Sequence, residues 1–391
     1  MSLTQHELGG YTFIKEIGSG GFATVYLVKK GGQQFAAKVM NKNSNPNIGD
    51  QIIKEIKTLS TANHQGIIGL VDLLSDDLNN IYIIQEYVEK SLQDIINERK
   101  SFMEFSSKPL IVRILSALRY LHSIGISHRD IKPHNIMVRT DGTIKIIDFG
   151  LSKSIKPSQS RCGSKNFYPP EVMEGTTDSF DGIKCDSWSC GVTFYIMLTG
   201  KLPWSSMSLD QIKSEKIQYP PYLSKDCIDF LQGLLSLDPT QRPSADQASQ
   251  HRWLAKETRA VSRGSYMEMN GRITREKVIS FLKKEFPDQF NDLDSQEEVC
   301  LNNETPSAST PETKACIKMS EINQHNKTIG ISPIMRLNKS DIQIRRNDVN
   351  KKLVGNRKVP LPRPVCRTKE NLDSHVENIF MKIAAMRKSV Q

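Results

Sequence analysis

The sequence has no run of about eighteen apolar residues, the minimum for a helix that crosses a bilayer. It also lacks a secretion signal at its start, MSLTQHELGG, and a prenylation box at its end, RKSVQ. Its seven cysteines are odd in number and never spaced C-x-x-C, which argues against a zinc site and a disulfide framework. We therefore expect no membrane span and a reducing intracellular compartment, namely the cytoplasm, with the nucleus as a further candidate.

Net charge is nearly absent from residues 1–254, which hold 28 Lys and Arg against 26 Asp and Glu. Residues 255–391 hold 25 against 17, and the last 61 residues alone hold 14 against 5. A chain of 391 residues with 38% apolar and 25% charged residues has room for one large domain and an extension. The basic tail is compatible with an acidic partner and equally with a solvated, disordered segment, and we expect no specific nucleic acid partner.

A glycine-rich stretch, GSGGFATVY (18–26), lies between two segments with the composition of strands. Dinucleotide-binding loops lead from a strand into a helix, so two successive strands exclude that class. A glycine flap laid over phosphate groups fits instead, with an ordinary glycine-rich turn as the alternative. Ala23 stands where G-x-G-x-x-G has its last glycine, and a methyl group fits there if φ is negative. The candidate phosphate-binding residues are Gly18, Ser19, Gly20, Gly21, Phe22, Ala23 and Thr24.

A lysine on the third predicted strand, Lys38 of AAK, has a candidate partner on the next helix. That helix is predicted from apolar residues at 52, 53, 56 and 59, a helical period. Glu55 stands seventeen residues after Lys38 and can reach back to it. Such a pair fixes an ammonium group where it can hold the α- and β-phosphate oxygens of a nucleotide.

The stretches YLHSIGISHRDIKPHNIMV (120–138) and IKIIDFG (144–150) contain the polar residues that phosphoryl transfer requires. One carboxylate must orient the attacking hydroxyl and accept its proton, and Asp130 is the candidate. Lys132 can neutralise charge on the transferring group. The amide oxygen of Asn135 and the carboxylate of Asp148 are ligands that Mg²⁺ prefers. The alternative, unrelated polar residues in two loops, requires about eight residues to match by coincidence.

Residues 11–254 resemble the eukaryotic protein kinase domain of the serine/threonine class. The matching motifs are IGSGGFATVY, AAK, Glu55, HRDIKPHN, DFG, YPPE, DSWSCG and QRPS. The resemblance implies an α+β, two-lobed fold, with a five-stranded antiparallel N-lobe sheet and a mostly helical C-lobe closed over ATP and Mg²⁺. The segment RCGS (161–164) is similar to calcium/calmodulin-dependent or related kinases and does not fix the subfamily.

The resemblance also implies positions for single residues. Those expected around adenine are Ile17, Val25, Ala36 and Met137 as apolar walls, Gln85 as gatekeeper, and Glu86 and Val88 in the hinge. Leu59, His128 and Phe149 are expected to stack between the two lobes. Glu171 is expected to pair with Arg242, and Asp186 is expected to anchor the catalytic loop, HRDIKPHN, from a buried helix.

The implied function is transfer of the ATP γ-phosphate to Ser or Thr hydroxyls of a protein substrate. The alternative is a pseudokinase scaffold that binds nucleotide and partners without transfer. A pseudokinase is expected to show damage at Lys38, Asp130, Asn135 or Asp148, and all four are intact.

A switch is expected between Asp148 and Glu171, in a segment too polar to order itself by burial. Ser160 stands eleven residues before Glu171, where related kinases carry an activating phosphate, and a phosphate there could pair with Arg129. Ser164 is placed to contact the substrate. The alternatives are phosphorylation of Ser158 or ordering of the segment by a partner.

Two segments after residue 254 are candidates for regulation. Within 255–290, residues 273–287 carry apolar side chains at helical spacing, which predicts a regulatory helix docked on the kinase domain or a small satellite core. The segment 291–391 is a basic tail of low complexity with a predicted amphipathic helix at 373–390. That helix could bind a regulatory partner, fold back on the kinase domain or have no role.

Overall fold

Strands dominate the first third of the protein, and helices dominate the later part that the structure describes. A computed structural model describes residues 6–21, 23–154, 163–175, 180–255, 272–287 and 289. All of them lie in the first of two units of the chain, residues 1–307, and the second unit, residues 308–391, lies outside these ranges. None of the helices within these ranges combines the length and the apolar character that crossing a membrane requires.

The strands and helices are numbered here in chain order. The strands are β1 (Glu7–Leu8), β2 (Tyr11–Ser19), β3 (Thr24–Lys30), β4 (Gln33–Asn41), β5 (Leu70–Ser75), β6 (Asn80–Glu86), β7 (Lys90–Ser91), β8 (Ile126–Ser127), β9 (Ile136–Val138), β10 (Ile144–Ile146) and β11 (Lys153–Ser154). The α-helices are α1 (Ile48–Thr61), α2 (Leu92–Arg99), α3 (Glu104–Ser123), α4 (Pro170–Glu174), α5 (Gly182–Thr199), α6 (Leu209–Ser214), α7 (Lys225–Leu234), α8 (Ala245–Ser249) and α9 (Arg275–Glu285). Short 3-10 helices span Pro133–Asn135, Lys165–Phe167 and Arg252–Leu254.

The N-lobe contains an antiparallel sheet in the order β1-β2-β3-β4-β6-β5. The five expected strands are β2 to β6, and the two-residue β1 adds a sixth because Leu8 pairs with Tyr11. Gly31 and Gly32 join β3 to β4 with φ of 56° and 80°. Both angles lie in the left-handed region, which a two-residue hairpin turn requires and glycine adopts without strain.

Helix α1 belongs to the same lobe and buries its apolar side. Ile52, Ile53, Ile56 and Leu59 are all buried, as the predicted period requires. Glu55 lies among them and is also fully buried. A carboxylate in such surroundings needs a cation as partner, and that partner comes from β4.

The C-lobe is organised around α3 and α5, helices of 20 and 18 residues. Helix α5 begins where the Asp181 side chain accepts a hydrogen bond from the Ile183 N–H, and it ends at Gly200 with φ of 73°. Nearly all of its side chains are buried, so it is the central helix of this lobe. A small sheet in the order β10-β9-β7 connects the end of the hinge to the catalytic loop.

Helix α9 lies in the N-lobe although it comes after the C-lobe in sequence. It packs against α1 and β5. Val278, Leu282 and Phe286 are buried there. Of the two arrangements that the sequence left open for this segment, the structure has the helix docked on the N-lobe. Its regulatory role stays a prediction, and the predicted helix at 373–390 lies outside the described residues.

A buried ion pair joins the start of α4 to the loop before α8. The fully buried Arg242 guanidinium donates to Glu171 at 2.8 and 3.1 Å, which confirms the predicted pair. It also donates to the carbonyl oxygens of Lys184 and Ser236, at 2.8 and 3.0 Å. Its donors are therefore distributed over three separate parts of the C-lobe.

Replacing Arg242 by alanine is expected to lower the free energy of unfolding by about 3 to 5 kcal/mol, because the Glu171 carboxylate loses its cation in a largely buried position. The matched control is Arg252→Ala. Arg252 pairs with Asp226 and Asp229 at 2.9 Å, but its side chain is 65% exposed. That change should cost less than about 1 kcal/mol. Urea denaturation monitored by tryptophan fluorescence measures both, and equal losses would contradict the role of burial.

Candidate active site

The site is organised around one ammonium group held between two carboxylates. Lys38 Nζ lies 2.8 and 2.7 Å from the two carboxylate oxygens of Glu55 and 2.9 Å from Asp148 Oδ1. Burial alone would lower the pKa of Lys38, but the two carboxylates outweigh it, and the pKa lies above its ordinary value. Burial would raise the pKa of Asp148, but Lys38 holds it below the ordinary range. Lys38 and Asp148 are therefore both charged at neutral pH.

The catalytic loop is held in a strained conformation by a buried aspartate of α5. Arg129 and Asp148 have φ of 69° and 65°, an uncommon region for residues other than glycine. Asp186 accepts the N–H groups of His128 and Arg129 at 2.9 and 2.7 Å. His122 Nε2 lies 2.8 Å from the same carboxylate. Burial would raise the pKa of Asp186, but these hydrogen bonds lower it below the ordinary value.

The carboxylate of Asp130 is oriented by three neighbours. Lys132 Nζ and Asn135 Nδ2 donate to its Oδ2 at 2.7 and 2.9 Å. The backbone N–H of Ser164 donates to its Oδ1 at 2.9 Å, and Lys132 also donates to Ser164 Oγ at 2.7 Å. Asp130 therefore has a fixed orientation beside a lysine and the residue predicted to face the substrate.

Two candidate oxygen donors for a metal ion come from separate loops, Asn135 just before β9 and Asp148 just after β10. Asn135 uses its amide nitrogen on Asp130, which leaves its amide oxygen as the acceptor. The Asn135 carbonyl accepts the N–H of Ile147 at 3.0 Å, which brings the next residue, Asp148, beside it. Within the described ranges no three His, Cys, Asp or Glu side chains form a metal site by themselves. An amide oxygen and a carboxylate that leave other ligand positions to phosphate and water fit Mg²⁺.

The glycine flap leaves room above its backbone. A methyl group added to Gly18 or Gly21 would meet no atom within 4 Å, and at Gly20 only the Ala23 carbonyl, at 3.9 Å. Internal packing therefore does not require these glycines, whereas close approach of a phosphate would. The Gly20 N–H donates to that same carbonyl at 2.8 Å. Ala23 avoids positive φ, as the sequence required, and Phe22 lies outside the described residues.

The predicted adenine walls come from both lobes. Val25 pairs with Lys38 and Ala36 with Gln85 in the sheet. The remaining two are Ile17 on β2, 38% exposed, and Met137 on β9 of the C-lobe.

Gln85 provides an independent sign that a ligand belongs in this cleft. Its side chain is buried, and its Nε2 has no hydrogen-bond partner within the described part of the chain. A buried amide left without a partner is costly, and a ligand group in the cleft could satisfy it. The residues present therefore fit a nucleotide.

The hinge is fixed from behind by a group of cations that the motifs did not indicate. Glu86 accepts the Gly69 N–H at 2.9 Å and lies 2.7 Å from Arg139 and 3.0 Å from Lys145. Lys145 is buried on β10. Val88, two residues further along the hinge, is buried too. These contacts fix the position of the backbone that is predicted to meet adenine.

The remaining predicted residues lie close to the same site. The rings of His128 and Phe149 lie 4.9 Å apart, and Leu59 is buried in the same core. Thr24 begins β3 opposite Ser19. Ser160 lies outside the described residues.

Besides Arg139 and Lys145, the sequence reasoning missed His122, and it missed the conformational role of Gly163, a residue of RCGS. His122 stands in YLH, six residues before His128, and only its contact with Asp186 reveals its use. Gly163 has φ of 114°, and a Cβ there would lie 2.5 Å from the Arg129 carbonyl. Its position directly before Ser164 was the one available signal.

Comparison with known proteins agrees with this geometry. The model of the protein kinase domain matches residues 11–254. The chain belongs to the protein kinase family. Members of this family use ATP and a divalent metal ion.

Similar kinases include serine/threonine kinases from animals and fungi. Sperm motility kinase 3A of Mus musculus is 36% identical over 256 residues, 63% of this chain and 50% of that protein. Serine/threonine-protein kinase cds1 of Schizosaccharomyces pombe is 32% identical over 276 residues, 64% of this chain and 60% of that protein. Serine/threonine-protein kinase STK11 of Gallus gallus is 34% identical over 237 residues, 56% and 54% of the two chains. The chain spans about half the length of the curated relatives it matches.

Replacing Asp148 by asparagine is expected to reduce metal-dependent phosphoryl transfer by at least about 100-fold, because a metal-binding charge is lost while the shape is kept. The matched control is Asp77→Asn, a change at an exposed position of the N-lobe. The measurement is turnover at several Mg²⁺ concentrations. Near-normal turnover of the Asp148 variant would show that the metal site has been assigned to the wrong residue.

Proposed function

We propose that this kinase transfers the γ-phosphate of ATP, with Mg²⁺, to Ser or Thr hydroxyls of protein substrates. The observation that carries the proposal is the orientation of Asp130 by Lys132, Asn135 and Ser164 next to the Lys38–Asp148 pair. Lys132 within DIKPHN supports the serine/threonine class over the tyrosine class.

Each residue has a separate task in this reaction. Asp130 accepts the proton of the attacking hydroxyl as that oxygen forms its bond to the γ-phosphorus. The bond from the γ-phosphorus to the bridging oxygen breaks, and ADP leaves. Lys132 donates to the transferring phosphoryl group, and Lys38 holds the α- and β-phosphate oxygens. Asn135 and Asp148 would hold Mg²⁺, which would supply neutralising charge at the phosphates.

The second candidate function is a pseudokinase scaffold. A scaffold has no need for an oriented carboxylate, a lysine beside it and two oxygen ligands in one loop system. All of these side chains are present and in contact. The intact set therefore favours an active enzyme.

Transfer from γ-labelled ATP to a generic basic protein tests the function. The wild-type chain should label serine and threonine, and EDTA should abolish the labelling. Asp130→Asn should reduce turnover by at least about 100-fold with ATP affinity largely unchanged, because its carboxylate orients the acceptor hydroxyl and not the nucleotide. Label on tyrosine alone, or no label from the wild-type chain, would contradict the proposal. An equal loss of ATP affinity would contradict the role of Asp130.

We further infer that phosphorylation of Ser160 switches the enzyme on. Its spacing from Glu171 supports this inference, as does the position of Arg129 next to Asp130. A phosphate adds roughly −1.5 to −2 charge and three acceptor oxygens, which suit a guanidinium. Pairing with Arg129 would order the segment in front of the catalytic loop and dock the substrate platform.

Ser160→Ala is expected to lower the activity of the purified enzyme at least about fivefold, because the phosphate that orders the segment cannot form. Ser158→Ala changes the alternative phosphosite and should leave activity unchanged, whereas a loss in this variant alone would move the switch to Ser158. Activity is measured before and after complete treatment with a phosphatase. Full activity of the dephosphorylated wild-type enzyme would rule out the switch.

A further inference from the structure

Helix α9 stands outside the matched kinase domain and yet forms part of the N-lobe core. Its residues Val278 and Leu282, together with Phe286 just after its end, are buried at 4%, 1% and 6% exposure. They belong to the same apolar cluster as Ile52 and Ile56 of α1. A helix of eleven residues is marginal in water by itself, so its folding and its docking are coupled.

Polar contacts fix the ends of this docked helix. At the C-terminal end, Glu285 accepts from Lys42 Nζ at 2.8 Å and from Ser75 Oγ at 2.7 Å. At the N-terminal end, Lys277 lies 2.6 Å from Asp72 Oδ1. Asp72 and Ser75 belong to β5, and Lys42 comes directly after β4.

The segment just before α9 adds main-chain contacts. Arg272 donates to the carbonyl of Ala62 at 2.8 Å, and the Ile273 N–H donates to the carbonyl of Leu70 at 3.4 Å. Ala62 is the residue at which α1 ends. This segment therefore contacts the C-terminal end of α1.

These contacts involve the two elements that carry the Lys38–Glu55 pair. Lys42 stands four residues after Lys38 in the same stretch of chain, and α1 carries Glu55. At the start of α1, the Gln289 side chain packs against Gly49. The space is so tight that a Cβ added to Gly49 would lie 2.8 Å from that side chain. Arg272 and Gln289 therefore lie against the two ends of α1, while Glu285 binds Lys42 directly after β4.

We propose that α9 is an intramolecular positioning element for catalysis, which holds α1 against β4 so that Glu55 stays paired with Lys38. Val278, Leu282 and Glu285 are then positioning residues that act through Glu55 and not on the substrate. The proposal rests on the kinase function proposed above. It makes full activity depend on a segment beyond residue 254.

The first test breaks and restores one contact in the full chain. Glu285→Lys places an ammonium group opposite Lys42 and should lower kcat/KM for ATP about tenfold, because misplacement of a positioning group is costly. The double variant Lys42→Glu with Glu285→Lys reverses both charges and should recover most of the loss. Ser280→Lys, at an exposed position of the same helix, is the matched control and should have no effect. Unchanged or increased activity of Glu285→Lys would overturn the proposal.

The second test asks whether α9 acts through Glu55. Glu55→Gln removes the charge of the pair, so adding Glu285→Lys to it should cause little further loss of kcat/KM. A multiplicative loss in the double variant would mean that α9 acts elsewhere, for example on general stability, and would overturn the proposal. The same double-mutant cycle with Glu55→Gln can be repeated with Leu282→Asp, which disrupts an apolar contact of α9. Ser280→Asp is its control.

Hydrogen exchange separates this proposal from the proposed function. In the full chain, Glu285→Lys should increase amide exchange in residues 48–61 of α1 while the helices of the C-lobe remain protected. This result is independent of phosphoryl transfer. A wild-type chain without transfer activity would refute the function alone, whereas unchanged exchange in α1 would refute the docking role alone.

Discussion

The contact on which the rest of the structure depends is the one between Lys38 and its two carboxylates. Glu55 comes from α1, Lys38 from β4, and Asp148 from the loop after β10, so one ammonium group connects three parts of the fold. Glu55 is fully buried and Lys38 largely so, while the Asp148 side chain stays 41% exposed towards the cleft, and the pairing offsets the cost of burying the first two charges and leaves a net negative charge. That remaining charge suits a metal ion, and the metal in turn suits the phosphates that Lys38 is positioned to hold.

The catalytic loop shows how the C-lobe maintains a backbone that would not be stable in isolation. A positive φ at Arg129 is unfavourable for a residue with a side chain, and Asp186 compensates by accepting two successive backbone N–H groups. The aspartate sits on α5, which is buried along most of its length, so the packing of this helix fixes the position of the carboxylate. Orientation of Asp130 is thus a consequence of the core of the C-lobe.

Helix α9 lies outside residues 11–254, yet it contacts the elements that carry the Lys38–Glu55 pair. The pair of Lys38 and Glu55 requires α1 to stay close to β4, and a short apolar helix with Glu285 at its end contacts both. A change in the separation between α1 and β4 would change the rate of phosphoryl transfer, because the Lys38–Glu55 ion pair must be in place for the phosphates to be held correctly.

The sequence by itself indicated the two strands and the turn of the flap and the candidates for the catalytic residues, because these depend on local period and on motif spacing, and the two lobes followed from the family resemblance that those motifs carry. The helical period predicted which side of α1 is buried, and the spacing of Lys38 and Glu55 predicted their pairing. Tertiary structure alone decided the contacts that join distant residues without a shared motif: His122 to Asp186, Lys145 to Glu86, and Glu285 to Lys42. Local pattern carries no information about such pairs, since the distance between them is set by how whole elements pack.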